Sequence, residues 1–128
     1  MFQSLEVFRI AHAMAVHAGR RQAIISENIA NADTPGYLSR DLPSFQDSIG
    51  RGVDGAQKAT RDRHMHGSSP GSMSAEPKIF REHLSLDGNS VSLESEMMNA
   101  VEAKRQHDRA LAIYKSSLDV LRRTISSQ

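Results

Sequence analysis

The chain has no cysteine and no tryptophan, and aromatic residues make up only 5% of its 128 residues. The absence of cysteine excludes disulfide bonds and thiolate metal sites, although it does not identify a redox compartment. A hydrophobic content of 38% with so few aromatic residues is low for a self-contained core. We therefore expect neighbouring chains to bury part of the apolar surface.

Long hydrophobic runs are absent as well. No stretch approaches the roughly 18 apolar residues that a transmembrane helix needs. Glu6, Arg9 and His12 interrupt the N-terminal segment, which lacks the order of a secretory signal. The net charge of +1 comes from 16 basic and 15 acidic residues, without the basic face of a nucleic-acid-binding protein. Taken alone, these features predict a cytoplasmic protein that binds no nucleic acid and spans no membrane.

A long amphipathic helix is predicted at the N-terminus, over residues 2–32. Its apolar residues recur in alternating steps of three and four, which is the seam of a coiled coil. That seam consists of Phe8, Ala11, Ala15, Ala18, Gln22, Ile25, Ile29 and Ala32. Because alanine is small, a partner helix can approach closely along the middle of this seam. Further apolar residues widen the stripe, which favours more than one neighbour.

A second long helix is predicted at the other end of the chain. Ser92 is suited to cap its N-terminus. Glu94 and Glu96 lie in its first turn, where the helix dipole favours negative charge. Arg122 and Arg123 lie in its last turn, where positive charge is favoured. Its seam consists of Leu93, Met97, Ala100, Lys104, His107, Leu111, Tyr114, Leu118, Leu121 and Ile125.

The two helices have similar lengths, and the chain must reverse between them, so we expect an antiparallel pair. A strict seven-residue period predicts a left-handed coiled coil. Lys104 and His107 either lie at a solvated edge of this pair or fix its register against another helix. The predicted fold class is mainly α: two long terminal helices form an antiparallel coiled-coil pair, with a flexible middle segment and at most a short strand or hairpin.

The chain divides into an N-terminal helix with its turn, a loop-rich and partly disordered middle segment, and a C-terminal helix. Their bounds are residues 1–37, 38–91 and 92–128, and the first and third form a single domain. Ser44 is suited to cap a short helical turn over residues 45–49. Residues 50–76 hold five of the eight glycines and predict a flexible loop. A short strand is predicted within residues 78–86, followed by a turn at Asp87-Gly88-Asn89.

The residue patterns of known catalytic and metal sites are missing. His64 and His66 lie close together and His83 follows, but no acidic ligand stands at a familiar spacing. A phosphotransfer histidine at His12 or His17 would need a four-helix bundle, for which the chain has too few helices. Neither a glycine-rich phosphate loop nor a nucleophile elbow is present. We therefore expect no enzyme activity, no cofactor and no metal site.

The first helix is expected to end in the polar string of residues 27–37. Pro35 lacks an amide hydrogen and pushes Thr34 toward extended backbone. Pro35 and Gly36 suit the central positions of a type II turn, where glycine accepts a positive φ. Asn31 and Asp33 tolerate left-handed backbone and bond nearby amides readily. On these grounds alone, the string is a well-built helix stop, which is a common feature.

The string also carries a resemblance to a known family. Asn28-Ile29-Ala30-Asn31 followed by Thr34-Pro35-Gly36-Tyr37 resembles the N-terminal signature of bacterial flagellar axial proteins, which form the rod and the hook. Arg40-Asp41, the stretch Asp87-Gly88-Asn89-Ser90-Val91 and the chain length resemble the flagellar basal-body rod proteins of the proximal type. With the terminal helices, these stretches cover about half to two-thirds of the chain.

The resemblance implies a structural subunit of the basal-body rod, which assembles through its terminal helices into a tubular drive shaft that transmits torque. It implies export by the flagellar type III apparatus without a cleaved signal peptide, and assembly in the periplasm. The expectation of a cytoplasmic protein is then set aside. The implied partners are further copies of the chain in a helical array, the other rod proteins, the adaptor between the membrane ring and the rod, and the export apparatus.

Two groups of residues are the candidates for function. The signature turn consists of Asn28, Ile29, Asn31, Thr34, Pro35, Gly36 and Tyr37. The residues expected at subunit contacts are Ile25, Ile29, Leu111, Tyr114, Leu118, Leu121 and Ile125. Two other interpretations stay open. One is another short rod protein of the same family, and the other is a cytoplasmic coiled-coil adaptor or export chaperone that uses the same seams.

Overall fold

The computed structural model describes residues 2–53, 76–81 and 84–126. Its elements follow in the order α1 (Phe2–Ala30), β1 (Arg40–Asp41), α2 (Phe45–Val53), β2 (Lys78–Ile79) and α3 (Leu93–Ser126). Helices α1 and α3, with 29 and 34 residues, dominate the fold. At 1.5 Å per residue they are about 44 Å and about 51 Å long. The mainly helical fold class predicted from the sequence is confirmed.

The two long helices form an antiparallel hairpin. The rings of Phe8 on α1 and Tyr114 on α3 meet with their centroids 4.1 Å apart. Later in α1, the Arg21 guanidinium lies 3.9 Å from the Glu102 carboxylate, which comes earlier in α3. Residues later in α1 therefore contact residues earlier in α3, as an antiparallel pair requires.

Small side chains line the contact between α1 and α3. The buried apolar residues of the two helices, spaced seven apart within each helix, are Ala11, Ala18, Ile25, Ala103 and Ala110. A seven-residue period keeps one stripe of each helix against its partner, and alanine lets the two backbones approach. The seam predicted for the first helix is confirmed at Ala11, Ala18 and Ile25, whereas Gln22 and Ile29 are exposed.

The seam predicted for the last helix is correct at one half of its positions and wrong at the other half. Ala100, His107, Tyr114, Leu118 and Leu121 are half-buried, whereas the other five predicted residues are exposed. The buried residues of α3 in this stripe are Glu96, Ala103 and Ala110. The residues that directly follow them, which were expected in the seam, are Met97, Lys104 and Leu111, and all three are exposed. The alanines of α1 leave room only for a small side chain opposite, so bulky neighbours turn outward. Lys104 accordingly pairs with Asp108 at 3.1 Å on the solvated side of α3.

Serine caps fix the residues at which α2 and α3 begin. The Asp47 amide donates to Ser44 Oγ at 3.2 Å, and Ser44 Oγ donates to the Asp47 carboxylate at 2.7 Å. Before α3, the Ser95 amide donates to Ser92 Oγ at 3.5 Å. Both caps agree with the prediction, although α2 continues to Val53, beyond the short turn expected at residues 45–49.

The two strands form a small antiparallel sheet in which Arg40 lies opposite Ile79 and Asp41 opposite Lys78. The strand predicted within residues 78–86 is present but only two residues long. The flexible loop predicted for residues 50–76 falls, from residue 54 to residue 75, outside the described residues. The sheet lies at the end of the hairpin where the chain leaves α1.

We expect the alanine seam to reject a larger side chain. Ala103→Leu should lower the free energy of unfolding by about 1–3 kcal/mol, because the closely packed helices cannot accept the extra volume without displacement. Ala112→Leu is the matched control, since Ala112 is exposed on the same helix and should change stability by less than about 0.5 kcal/mol. Urea unfolding followed by circular dichroism measures both. Equal midpoints for the two variants would show that the seam is not closely packed.

Candidate functional site: the junction between the two long helices

The polar string at the end of α1 meets the segment that precedes α3. We call this region the junction and define it as residues 28–42 and 85–91. The Gly36 amide donates to the Asp87 carbonyl at 3.0 Å, and the Ser90 amide donates to the Tyr37 carbonyl at 3.0 Å. The two motifs that carried the family resemblance, far apart in the chain, therefore form one structure.

Two glycine turns lie against each other in the junction. Gly36 has a φ of 73° and Gly88 a φ of 80°. The Tyr37 amide donates to the Thr34 carbonyl at 3.2 Å, which completes the predicted type II turn with Pro35 and Gly36 at its centre. A Cβ atom on Gly88 would lie 3.5 Å from the Gly36 Cα, so the two turns are in contact.

The Asn89 side chain closes the end of α1. Its Nδ2 lies 3.0 Å, 2.8 Å and 2.8 Å from the carbonyl oxygens of Asn31, Ala32 and Thr34. These carbonyls belong to the turn that directly follows α1, and the Asn89 amide supplies hydrogen-bond donors to them. Its Oδ1 accepts from the Val91 amide at 2.7 Å. One buried side chain thus ties the end of α1 to the lead into α3.

The Asn28 side chain takes the place of a neighbouring strand. Its Nδ2 donates to the Arg40 carbonyl at 2.6 Å, and its Oδ1 accepts from the Arg40 amide at 3.1 Å. These two bonds reproduce the pairing that a residue of an antiparallel strand would make with β1. The Tyr37 hydroxyl donates to the same Oδ1 at 3.3 Å. Asn28 is fully buried, and it fixes the path of the chain after α1.

Ser90 holds the sheet against the junction. Its Oγ accepts from the Ser39 amide at 2.8 Å and donates to the Phe80 carbonyl at 2.9 Å. The Phe80 amide in turn donates to the Ser39 carbonyl at 2.9 Å. Ser90 and Ser39 are both buried, so the polar groups at this point are satisfied by one another and not by solvent.

A forked ion pair ties the middle of α1 to β1. Nε and Nη2 of Arg21 each donate to the Asp41 carboxylate at 2.8 Å. Nη2 also lies 3.5 Å from Oδ1 of Asn99 on α3. The hydrogen bond to Asp41 is the main reason that the pKa of Arg21 lies above its ordinary value. Two parallel charge-assisted bonds give this pair a fixed geometry as well as energy.

Glu96 is a buried carboxylate in the first turn of α3. Its Oε2 has no hydrogen-bond partner among the described residues. Burial raises the pKa of Glu96, and the nearby Asp41 charge adds to this effect, while the Asn28 amide and the Arg21 charge oppose it. Ionisation of Glu96 therefore works against the packing of α3 on α1.

His17 fastens the segment after β1 to α1. Its Nε2 donates to the Pro43 carbonyl at 2.9 Å, and its ring lies 5.5 Å from the Phe45 ring. Burial lowers the pKa of His17, so the neutral imidazole is the favoured form. The side chain is 4% exposed and holds structure, unlike a phosphotransfer histidine, which must be exposed to its partner.

Metal chemistry finds no support in the described part of the chain. No group of three or more histidine, aspartate or glutamate side chains in residues 2–53, 76–81 and 84–126 is arranged to hold a metal ion. His64, His66 and His83, which were weighed as ligands, lie outside the described residues. The side chains in and beside the junction hold the segment after α1 against the segment before α3. They do so through hydrogen bonds of amides and hydroxyls and through one ion pair.

The residues expected at subunit contacts fall into three groups. Ile29, Leu111 and Ile125 are exposed by 36%, 48% and 76%. Tyr114, Leu118 and Leu121 are half-buried along α3, and Tyr114 packs on Phe8. Ile25 is fully buried. Its side chain is taken up by the hairpin itself, so it leaves the set of residues that can face another subunit.

Sequence reasoning missed the roles of several residues in and beside the junction. The pairing of Arg21 with Asp41 follows no period, because it depends on the path of residues 38–45. Glu96 was noted only for its position in the first turn of α3. Asn89 was noted as part of a motif and of the turn at residues 87–89. Its position beside a turn glycine was the one sequence signal that its side chain would bond the backbone of a turn.

Known proteins match the chain at its helices and at the junction. The family model described as flagella basal body rod protein matches residues 17–37, which is the second half of α1 and the signature turn. The flagellar basal body rod protein FlgB of Agrobacterium fabrum is 30% identical over 120 residues, covering 89% of this chain and 88% of that protein. FlgB proteins of Escherichia coli and Cereibacter sphaeroides are each 28% identical, over 84% and 91% of this chain.

A hairpin of terminal helices closed by this signature turn defines a flagellar axial protein of the rod class. Within that class, the chain belongs to the FlgB family of flagellar basal body rod proteins. It is a structural subunit of the rod and is located in the basal body of the flagellum. None of the helices in the described residues is long and apolar enough to cross a bilayer.

We expect Gly36→Val to weaken the junction through its backbone alone. No atom lies within 4 Å of a Cβ placed at this position, so the cost of about 1–2 kcal/mol comes from the positive φ. Gly36→Asn is the matched control, because asparagine tolerates left-handed backbone. Urea midpoints of the two variants measure the difference, and swimming motility of strains that carry them reports assembly. A valine variant as stable as the asparagine variant would contradict the turn assignment.

The raised pKa of Glu96 predicts how the stability of the fold depends on pH. The folded chain holds the Glu96 proton more tightly than the unfolded chain, so this group stabilises the fold below its ordinary value of 4.5. That contribution is lost as the pH rises through the higher pKa of the folded state. Glu96→Gln should therefore be more stable than the wild type at neutral pH, with a difference that shrinks on acidification. Unfolding midpoints of both proteins across this range measure it, and a difference independent of pH would contradict the assignment.

Proposed function

We propose that the chain assembles through the outward faces of α1 and α3 into a helical array that forms the proximal part of the rod and transmits torque. The observation that carries the proposal is the exposure of large apolar residues on both helices. Among the described residues they include Val7, Val16, Ile29, Leu93, Met97, Leu111, Val120 and Ile125. Large apolar side chains exposed along both helices are surface that neighbouring subunits would bury in the proposed array.

The alanine seam explains why this surface is left over. Because the hairpin buries mainly alanine between its helices, most of the larger apolar side chains point away from the contact. Ile29, Leu111 and Ile125 are exposed and meet neighbouring subunits in the proposed array. Tyr114, Leu118 and Leu121 lie at the edge of the hairpin contact, where a third helix covers them.

Contacts between different surfaces of identical subunits give an open helical assembly when the rotation does not close. A tube of this kind is stiff because each long helix overlaps several neighbours, and it leaves an axial channel for exported subunits. The partners in the proposal are further copies of the chain, the other rod proteins, the adaptor between the membrane ring and the rod, and the export apparatus. The chain crosses the envelope through that apparatus without a cleaved signal peptide.

The signature turn and the junction serve this assembly by fixing the hairpin. Asn28, Thr34, Gly36 and Tyr37 keep α1 from continuing and return the chain toward α3. Since subunit contacts use both helices, their relative position must be the same in every copy. The role proposed for these residues is therefore structural, and no catalytic step is assigned to the chain.

Electron microscopy of envelope preparations tests the proposal. A strain that lacks the gene should show membrane rings without a rod, and the wild-type gene should restore it. Leu111→Asp should fail to restore the rod, because it places a charge on the apolar contact face. Ser116→Asp adds the same charge at an exposed polar position of α3 and should restore it. Complete rods and hooks in the deletion strain would refute the proposal and favour a cytoplasmic adaptor.

A further inference from the structure

A cleft lined by apolar and charged side chains lies beside the hairpin. It is formed by α1, the start of α2 and α3, and has a volume of about 370 Å³. Met14 and Phe45 contribute apolar surface to its lining, and the charged lining residues are Arg21, Glu102, Arg105 and Arg109. This shape and charge suit an acidic segment that also carries apolar side chains.

Two of the three arginines have no acidic partner among the residues that the structure describes. Arg21 is neutralised by Asp41 at 2.8 Å and lies 3.9 Å from Glu102. Neither Arg105 nor Arg109 forms an ion pair with a carboxylate in residues 2–53, 76–81 and 84–126. Glu102, which also lines the cleft, offsets one of these two charges, so the cleft keeps an excess of about one positive charge.

Charge is segregated along the part of the chain that contains α3. Residues 84–103 contain no lysine or arginine, and their acidic residues are Asp87, Glu94, Glu96 and Glu102. Residues 104–123 contain two acidic residues, Asp108 and Asp119, and their basic residues are Lys104, Arg105, Arg109, Lys115, Arg122 and Arg123. The helix dipole accounts for such a bias only in the first and last turns. Arg105 and Arg109 lie near the middle of α3, so their position needs another explanation.

The first turns of α3 carry the chemistry that the cleft suits. Glu94 is exposed, and Leu93, Met97 and Met98 beside it are exposed by 50%, 59% and 75%. Unbranched methionine side chains adapt readily to an irregular apolar surface. Glu94 forms no ion pair among the described residues.

One copy of the chain cannot join the patch to the cleft. Glu94 and Arg105 are on the same helix, 11 positions apart, which separates them by about 16 Å along its axis. We propose, on the basis of the proposed assembly, that the first turns of α3 from a second copy dock in the cleft. Glu94 of that copy then pairs with Arg105 and Arg109. Its Met97 covers the apolar lining residues of the cleft, Met14 and Phe45.

The contact joins two different surfaces, the patch of one copy and the cleft of another. In a pair of copies, one cleft and one patch therefore stay free. When the helices of the two copies run in the same direction, the second copy is displaced by about 16 Å along the hairpin. Its own cleft is then free to receive a third copy. The contact is therefore heterologous and propagates as an open array.

The absence of cysteine allows a direct test. In the full chain with the two substitutions Glu94→Cys and Arg105→Cys, a disulfide within one copy is excluded, because the Cα atoms must lie within about 7 Å of each other. Mild oxidation of assembled chains should give a ladder of crosslinked dimers, trimers and larger species on a denaturing gel. Glu94→Cys combined with Lys115→Cys is the matched control, since Lys115 is an exposed cation of α3 outside the cleft, and it should give no ladder.

The pattern of products decides between arrangements. A ladder from the first pair alone supports the proposal. Dimers without larger species would indicate a closed two-fold contact and would overturn it. Absence of crosslinks, in rods that otherwise assemble and contain the variant, would also overturn it while leaving the proposed function intact.

Charge reversal provides a second measurement. Arg105→Glu with Arg109→Glu should weaken self-association, measured by sedimentation, by about tenfold or more, because it places like charges together. Adding Glu94→Arg should recover most of the loss. Reversal that blocks rod assembly without any recovery would assign the cleft to a different protein and overturn the proposal. Intact rods in the strain that lacks the gene would instead refute the proposed function.

Discussion

The rest of the structure depends on the close approach of two helices along a stripe of alanines. Ala11 and Ala18 on α1 and Ala103 and Ala110 on α3 are each exposed by 1% or less. Such small side chains bury little apolar area, so the contact alone contributes modestly to stability. What it does set is the separation of the helices. Most of the larger apolar side chains of both helices must then lie outside the contact, where in the proposed array they form the surface that neighbours cover.

Since the seam is weak, the relative position of the helices has to be fixed elsewhere. The junction does this with polar groups: Asn89 on the carbonyls of the turn after α1, Asn28 on β1, and Ser90 between β1 and β2. Each of these side chains is buried and hydrogen-bonded. Leaving a buried polar group without its partner destabilises the fold by more than the net stabilisation that the hydrogen bond provides. A slip of one helix against the other would break several such bonds together, so the junction specifies a single register.

The extent to which the sequence predicts this fold follows from the range of each interaction. Helix ends are local, and the caps at Ser44 and Ser92 and the turn at Gly36 were predicted correctly from a few neighbouring residues. Part of the seam of α3 was placed one position too far along, at Lys104 and Leu111, because the alanines of α1 leave room only for the small side chains of Ala103 and Ala110. The ion pair of Arg21 with Asp41 and the bond from His17 to Pro43 depend on the return path of the chain, which leaves no periodic signal.

The outward placement of apolar residues and the segregation of charge along α3 have a common consequence. In the proposed array, a displacement of about 16 Å is about one third of the length of α3, so each hairpin overlaps its neighbours over most of its length. An apolar stripe that runs along the whole helix is then covered by successive copies, and no copy needs a complete core of its own. The pairing of acidic and basic segments selects one displacement among the many that apolar contact alone would allow. Apolar burial would thus supply the strength of the rod, and charge would supply its axial repeat.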